Sequence, residues 1–173
     1  MQNKEQLVPA IGQEFDAFAD LIMQWPDATF EATPGGKWSA GQQLDHLIRS
    51  VKPVSLALRL PGWLLRILFG KPNRPSRTYE VLVEKYRQKL SAGGVAPGAF
   101  VPPVIPLARK QQLLDAYKMQ QQRLIKIVER WQDADLDRYL LPHPLLGKLT
   151  LREMLYFTVY HTGHHYRQLA ERP

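Results

Sequence analysis

Residues 149–169 read LTLREMLYFTVYHTGHHYRQL, and this segment predicts a long amphipathic helix. Thr150 and Glu153 have the spacing of a capping box, in which each side chain bonds the other residue's backbone N–H at a helix start. Apolar side chains then recur at steps of three and four, which places them on one helical stripe. The helix is expected to run to about Arg172. The stripe consists of Leu151, Leu155, Val159, Tyr166 and Leu169.

Three more segments upstream show the same periodicity. Helix one covers Glu5–Trp25 and is stopped by the proline that follows. Helix two begins after Ser39, which has a glutamine three residues later; Pro53 should kink this helix and Pro61-Gly62 should end it. Helix three is predicted over Ala108–Trp131. With the helix that begins at Thr150, these make four long helices.

The connections between these helices are irregular. Residues 61–107 form a proline-rich insert with a short apolar piece, Trp63–Phe69, and a short helix from about Thr78 to Leu90. The linker Gln132–Gly147 shows no helical pattern, and we find no convincing strand pair. The prediction is therefore an all-α four-helix bundle that forms a single domain over residues 1–173.

Composition removes several function classes. The 173 residues contain no cysteine, which excludes a disulfide scaffold, a zinc ribbon, a thioredoxin-like site and a cysteine nucleophile. A metal site must use His, Asp or Glu, and a thiol reaction needs its thiol from a second substrate. The N-terminal residues lack a signal-peptide pattern, and WLLRILF is too short to span a bilayer. A cytoplasmic protein is expected.

The formal charge of +7 is unevenly placed. Residues 51–130 hold fifteen basic and four acidic residues, whereas residues 1–50 are net acidic and residues 131–173 are balanced. A basic block can attract nucleic acid, anionic lipid or an anionic small molecule, although a solvated surface is the simpler interpretation. No nucleic-acid-binding motif accompanies these bases, so no specific nucleic-acid partner is expected.

Three of the five histidines lie in the last helix. His161 and His165 are one turn apart, which lets both imidazoles reach one metal ion, and the helical wheel turns them inward and His164 sideways to the surface. Such a pair alone is as well explained by two polar residues satisfied by their neighbours. His46 on helix two is the natural third ligand. It lies opposite the apolar stripe of its helix, so it either lines an internal cavity or lies on the surface. The helical periodicity does not distinguish these two locations.

Two motifs carry a resemblance to a known family. WS-x6-HL on helix two and H-x-x-HH-x-x-Q on the last helix resemble the DinB/YfiT-like superfamily of metal-dependent enzymes. The resemblance covers nearly the whole chain, including G-x-W-S before helix two and H-P-x-x-G-K-L-T before the last helix. It implies a four-helix bundle with a divalent ion held by His46, His161 and His165.

Three neutral imidazoles leave a coordination position open, as in catalytic sites, and zinc or nickel suits nitrogen ligands. The ion could activate water for hydrolysis, or it could bind a low-molecular-weight thiol as a nucleophile. The resembled superfamily includes thiol-dependent transferases and a thiol-dependent isomerase. We therefore expect a metal-dependent hydrolase or thiol transferase. The alternative is a non-catalytic module of the same fold, which binds a partner protein, a membrane surface or nucleic acid through residues 51–130.

Other residues are weaker candidates. His143, on the loop before the last helix, could be a pocket acid or base, and Gln168 could support the metal site. The apolar and basic residues of segment 61–77 could contact a membrane, but covering the bundle end or forming a dimer is the first expectation, and a homodimer is expected. The arginines that could hold an acidic substrate are Arg59, Arg66, Arg74 and Arg77.

Overall fold

Side-chain caps start two of the long helices where the sequence predicts them. The computed structural model describes residues 3–172 and has α1 (Lys4–Gln24), α2 (Ala40–Ala57), α3 (Gly62–Phe69), α4 (Tyr79–Ser91), α5 (Lys110–Arg130) and α6 (Leu151–Ala170). Ser39 caps α2 and Thr150 caps α6, each in a complete capping box. Thr78 caps α4 through the backbone N–H of Val81. The fold is mainly helical, and α2 runs through Pro53 as one helix.

The core lies between the long helices. α1 packs on α5 and α6, and α2 packs on the same two helices. Most residues of the apolar stripes predicted from periodicity are buried, including Leu7 and Ile11 on α1 and Leu155 on α6. Phe15 of α1 stacks on Tyr117 of α5 with ring centroids 4.9 Å apart. Burial of these aromatic and branched side chains is the main stabilising contribution.

The prediction that the chain has no strand pair was wrong. Leu140–His143 (β1) pairs antiparallel with Gly147–Thr150 (β2), and His143 lies opposite Gly147. Gly147 has φ +75°, a left-handed conformation that glycine adopts at little cost. Pro142 is tolerated because a two-stranded sheet consists only of edge strands. The hairpin leads directly into α6 and places His143 beside the core.

The insert between α2 and α5 is anchored on the start of α6. Glu153 is fully buried, and its carboxylate accepts two hydrogen bonds from Arg74, at 2.6 and 2.9 Å. It also accepts hydrogen bonds from the backbone N–H and the guanidinium of Arg77. The same carboxylate accepts the backbone N–H of Thr150, so one side chain caps α6 and holds the insert.

Helix α3 is only partly covered. Leu65 is buried, whereas Trp63, Ile67 and Leu68 are 64, 72 and 53% exposed. Segment 61–77 therefore packs on the rest of the chain through one face and leaves an apolar face open. Within residues 3–172, no helix is both long enough and apolar enough to cross a membrane.

Candidate metal centre

Three buried histidines meet between α2 and α6. Nε2 of His161 lies 3.1 Å from Nε2 of His46 and 3.1 Å from Nε2 of His165. Each of the three residues is at most 6% exposed. His46, which periodicity left between cavity and surface, is therefore internal. Ring contacts hold the imidazoles in place: Trp38 packs on His46 with centroids 4.8 Å apart, and Phe157 stacks on His161 at the same distance.

Hydrogen bonds at the far nitrogens orient two of these rings. Nδ1 of His46 lies 2.7 Å from the carbonyl oxygen of Phe100. A carbonyl only accepts, so the proton of a neutral His46 is on Nδ1 and its Nε2 presents a lone pair. Nδ1 of His165 lies 2.9 Å from the side-chain amide of Gln43, which has the same effect when the amide oxygen faces the ring. Such outer partners set the tautomer and the ring direction of metal-ligating histidines.

The Gln43 amide has two orientations that suit two states of His165. With Oε1 toward the ring, it accepts the Nδ1 proton and leaves the lone pair on Nε2 for a ligand. In the reverse orientation, its nitrogen donates to Nδ1, and its oxygen accepts from Arg172 at 2.7 Å. The first orientation is the one that a metal-binding His165 requires.

The donor set fits a divalent transition metal. Tetrahedral nitrogen ligands at about 2.0–2.1 Å from zinc are roughly 3.3 Å from one another. The two Nε2–Nε2 distances of 3.1 Å are close to that value, and suitable ligand atoms of all three residues lie within 4.8 Å of one another. Three imidazoles without a carboxylate or thiolate suit zinc or nickel better than calcium or magnesium.

The electrostatics keep these ligands neutral. Burial lowers the pKa of His161 and His165 well below the usual range, and the neighbouring imidazoles lower both pKa values further. Burial also lowers the pKa of His46, against the hydrogen bond to Phe100 and the charge of Asp45, which raise it. All three imidazoles are therefore unprotonated at neutral pH, which metal binding requires.

A cavity of about 540 Å³ opens beside the cluster. His46 and His161 form part of its wall, and the remaining wall comes from α2, the end of α3, α4, α6, the hairpin and the loop before α5. The volume lies in the range of about 300–1,000 Å³ typical of small-molecule sites. Two of the three imidazoles are thus accessible to a small molecule.

Comparison with known proteins agrees with this architecture. The sequence profile of the DinB superfamily matches residues 10–169, which is most of the chain. The chain belongs to the DinB superfamily. The resemblance drawn from the two histidine motifs is thereby confirmed.

A solved structure has a similar fold over almost the whole length of the chain. The crystal structure of the colibactin self-resistance protein ClbS in complex with a dsDNA superposes with a TM-score of 0.57 at 17% identity, covering 99% of this chain and 95% of that one. At this identity the likeness concerns the fold alone. No curated protein matches the sequence.

His143 of this DinB protein lines the cavity from the end of β1, where the sequence predicted a loop. Its Nδ1 accepts the backbone N–H groups of Leu145 and Leu146, both at 3.1 Å, so the proton of the neutral ring is on Nε2. Burial lowers the pKa of His143 to about 4. The side chain is therefore a neutral donor at pH 7, and it is held rigidly by the hairpin turn.

The structure places His164 and Gln168 outside the cluster. His164 is half-buried instead of on the surface, because its ring packs against Tyr160 and Tyr86. Gln168 is exposed, and Gln43 of α2 bonds His165 in the way expected of Gln168. The sequence contains no signal that Gln43 instead of Gln168 contacts His165, because Gln43 and His165 are 122 positions apart.

The four arginines do not converge on the cavity, and none is among the residues that line it within 3–172. Arg74 and Arg77 bond the buried Glu153. Arg66 lies over the ring of Tyr139, with 5.2 Å between its guanidinium carbon and the ring centroid, and Arg59 is exposed on the surface. The expectation that these side chains hold an acidic substrate at the site is not supported.

Proposed function

We propose that this DinB-superfamily protein is a metal-dependent enzyme, in which His46, His161 and His165 hold a divalent ion, zinc or nickel. The observation that carries the proposal is the convergence of three neutral Nε2 atoms at the wall of a small-molecule cavity. A bound ion would supply Lewis-acid chemistry and activate a nucleophile, either water or a low-molecular-weight thiol. The cavity favours catalysis over a purely structural ion or a non-catalytic binding module.

The residues around the site have separable roles in this proposal. The Phe100 carbonyl and Gln43 orient His46 and His165. Phe157 and Trp38 cover the imidazole faces and keep water from them. The scaffold is a four-helix bundle of α1, α2, α5 and α6, which is supported by the packing of each of α1 and α2 on both α5 and α6.

Metal content tests the proposal directly. Untagged protein is purified without a nickel column, and its metal is measured by mass spectrometry. We expect about one divalent ion per chain and a loss of at least tenfold in affinity for His161→Ala. His164→Ala is the matched control, because it removes a half-buried imidazole of the same helix that is not in the cluster. Metal far below one per chain, or equal metal in His161→Ala, would refute the site.

A thermal-shift screen separates the two reaction types. If the nucleophile is a thiol, then glutathione, mycothiol or bacillithiol should stabilise the metal-loaded protein and leave the metal-free protein unchanged. If water is the nucleophile, no thiol stabilises either form, and neutral ester substrates are hydrolysed only by the loaded protein.

Duplex DNA binding is the second candidate function. The structural neighbour ClbS was crystallised with a dsDNA, which does not fit the expectation of no nucleic-acid partner. Residues 51–130 of this chain hold fifteen basic residues, and exposed basic side chains can bind phosphates. Fluorescence anisotropy with a labelled duplex at rising salt tests this candidate. Affinity that falls steeply with salt supports it, and absence of binding at low salt excludes it.

The proposed homodimer would use the exposed face of α3. Trp63, Ile67 and Leu68 form an apolar face that a second copy would cover. Light scattering on wild type and Ile67→Glu tests this contact: the dimer should dissociate in the variant, and a monomeric wild type at high concentration contradicts it.

A further inference from the structure

The wall of the cavity beside the histidines carries no formal charge. Among the residues that line it within the described part of the chain, there is no Asp, Glu, Lys or Arg. Most of the wall is aliphatic or aromatic, for example Val51, Val54, Leu90, Phe100 and Phe157. A charged group inside such a wall loses its hydration without gaining a partner.

Several polar groups of the wall are already engaged with the chain itself. The Ser50 hydroxyl donates to the carbonyl oxygen of His46 at 2.8 Å. The Thr158 hydroxyl donates to the carbonyl oxygen of Met154 at 2.9 Å. Nδ1 of His143 accepts two backbone N–H groups. The two hydroxyl hydrogens are therefore already used, and these hydroxyls do not donate to a ligand, although their oxygens can still accept.

Two hydrogen-bond donors remain besides the three-histidine site. The proton of His143 is on Nε2, because Nδ1 is an acceptor. The hydroxyl of Tyr86 makes no hydrogen bond to any residue from 3 to 172, and burial raises the pKa of Tyr86 to about 12. The Tyr86 ring lies 6.3 Å from the ring of His161 and 6.4 Å from that of His143, between centroids. Both donors are neutral at pH 7.

We propose that this cavity takes a neutral, largely apolar molecule whose polar part is a hydrogen-bond acceptor such as a carbonyl oxygen. Tyr86 and His143 would donate to that oxygen, and the apolar body would fill the remaining volume between α2, α4 and the hairpin. The orientation of the carbonyl toward His46 and His161 rests on the proposed function. The binding of a neutral apolar molecule does not, because it follows from the wall alone.

A thiol transferase has two substrates, the thiol and the electrophile, and the proposed ligand class indicates which of them would enter the cavity. An anionic thiol such as glutathione carries carboxylates that the cavity cannot pair with a cation. Its charged part would remain outside, and only its sulfur would reach the histidines. The cavity would therefore hold the electrophile, which is the apolar partner of the reaction. In a hydrolase, the same cavity would hold an uncharged ester, amide or related electrophile.

A competition assay on the full chain tests the ligand class. Nile red, an uncharged apolar fluorophore, is bound at pH 7.5 in the presence of a chelator and is displaced by decan-2-one or by decanoate, which have equal carbon number. We expect the ketone to displace the dye at a concentration at least tenfold lower than the carboxylate. Equal displacement by decanoate, or no dye binding by the folded protein, would overturn the proposal.

Matched variants locate the ligand. Ala57→Phe places a ring in the cavity and should weaken dye binding at least fivefold, whereas Ala17→Phe, at an exposed position of α1, should leave it unchanged. Tyr86→Phe keeps the shape and should weaken the ketone about threefold to tenfold. Because the dye also carries a carbonyl oxygen, its affinity is measured separately for this variant and used to convert the displacement midpoint into a ketone affinity. Tyr166→Phe, outside the cavity, is the control. Equal dye affinity in Ala57→Phe, or equal ketone affinity in Tyr86→Phe, would refute the assigned position.

The outcome is independent of the metal experiment. Protein that binds no ion but prefers the ketone refutes the proposed function and retains this inference. Protein that binds one ion per chain but prefers decanoate in the chelated form retains the metal site and refutes this inference.

Discussion

Replacement of His143 by asparagine should make the protein less sensitive to acid. In the folded state the pKa of His143 is lowered to about 4 by burial, whereas an unfolded histidine titrates near 6.5. Between these two values the unfolded chain takes up a proton that the folded chain does not. Stability is therefore fully present above about pH 6.5, and part of it is lost as the pH falls toward 4.

The size of the effect follows from the two pKa values. The full difference corresponds to about 3 kcal/mol below pH 4, and the loss at pH 5 is about 2 kcal/mol. Asparagine removes the titrating group but keeps an acceptor, because its Oδ1 occupies the position of Nδ1 and can accept the backbone N–H groups of Leu145 and Leu146. The variant loses the ring contact with Phe157, so its stability at pH 7.5 should also be lower.

Urea unfolding at pH 7.5 and pH 5.0 measures this difference. Both proteins are kept in chelator, so that the remaining buried histidines contribute equally. Between pH 7.5 and pH 5.0, we expect the free energy of unfolding to fall by about 2 kcal/mol more in wild type than in His143→Asn. If the two proteins lose the same amount within about 0.5 kcal/mol, His143 is not held neutral in the folded state and its assigned tautomer is wrong.

Three further substitutions test the supports of the site. Gln43→Leu should weaken metal binding about tenfold to a hundredfold through loss of the His165 partner, measured by chelator competition, and Gln168→Leu should leave it unchanged. Gly41→Ala should lower the free energy of unfolding by about 1–3 kcal/mol, because its Cβ would lie 2.7 Å from the buried Phe30 ring; an unchanged urea midpoint contradicts this contact. Glu153→Ala should lower the free energy of unfolding by at least about 2 kcal/mol in the same assay, because the α6 cap and the insert lose their shared partner. Proteolysis within residues 70–78 should also be faster in this variant.

Local sequence was sufficient for two capped helix starts and for most of the buried stripes, but α2 ends at Ala57, before the predicted Pro61-Gly62. The capping boxes at Ser39 and Thr150 are contained within four consecutive residues, so their hydrogen bonds do not depend on the rest of the fold. The stripe of α6 is likewise buried as its spacing predicts, except that Tyr166 is half-buried. The hairpin was missed because its strands are four residues each and contain Pro142 and Gly147, which ordinarily mark a loop.

The candidate ligands needed more than periodicity. Spacing within one helix brought His161 and His165 together, but His46 was added by family resemblance, since its wheel position allowed a surface location. The tertiary structure supplied the internal position, because α2 packs against α6 and turns His46 toward the other two imidazoles.

The sequence by itself determined the helical class, the family and the absence of cysteine ligands, because composition and short-range periodicity are properties of the chain alone. Only the tertiary structure decided which polar groups are engaged. Arg74 and Arg77 bond Glu153 across more than 70 positions, and Gln43 takes the place expected of Gln168. The uncharged cavity arises in the same way, from residues of several elements that meet only in the folded chain. Hydrogen bonds and burial depend on distance in space, and no local pattern of residues encodes them.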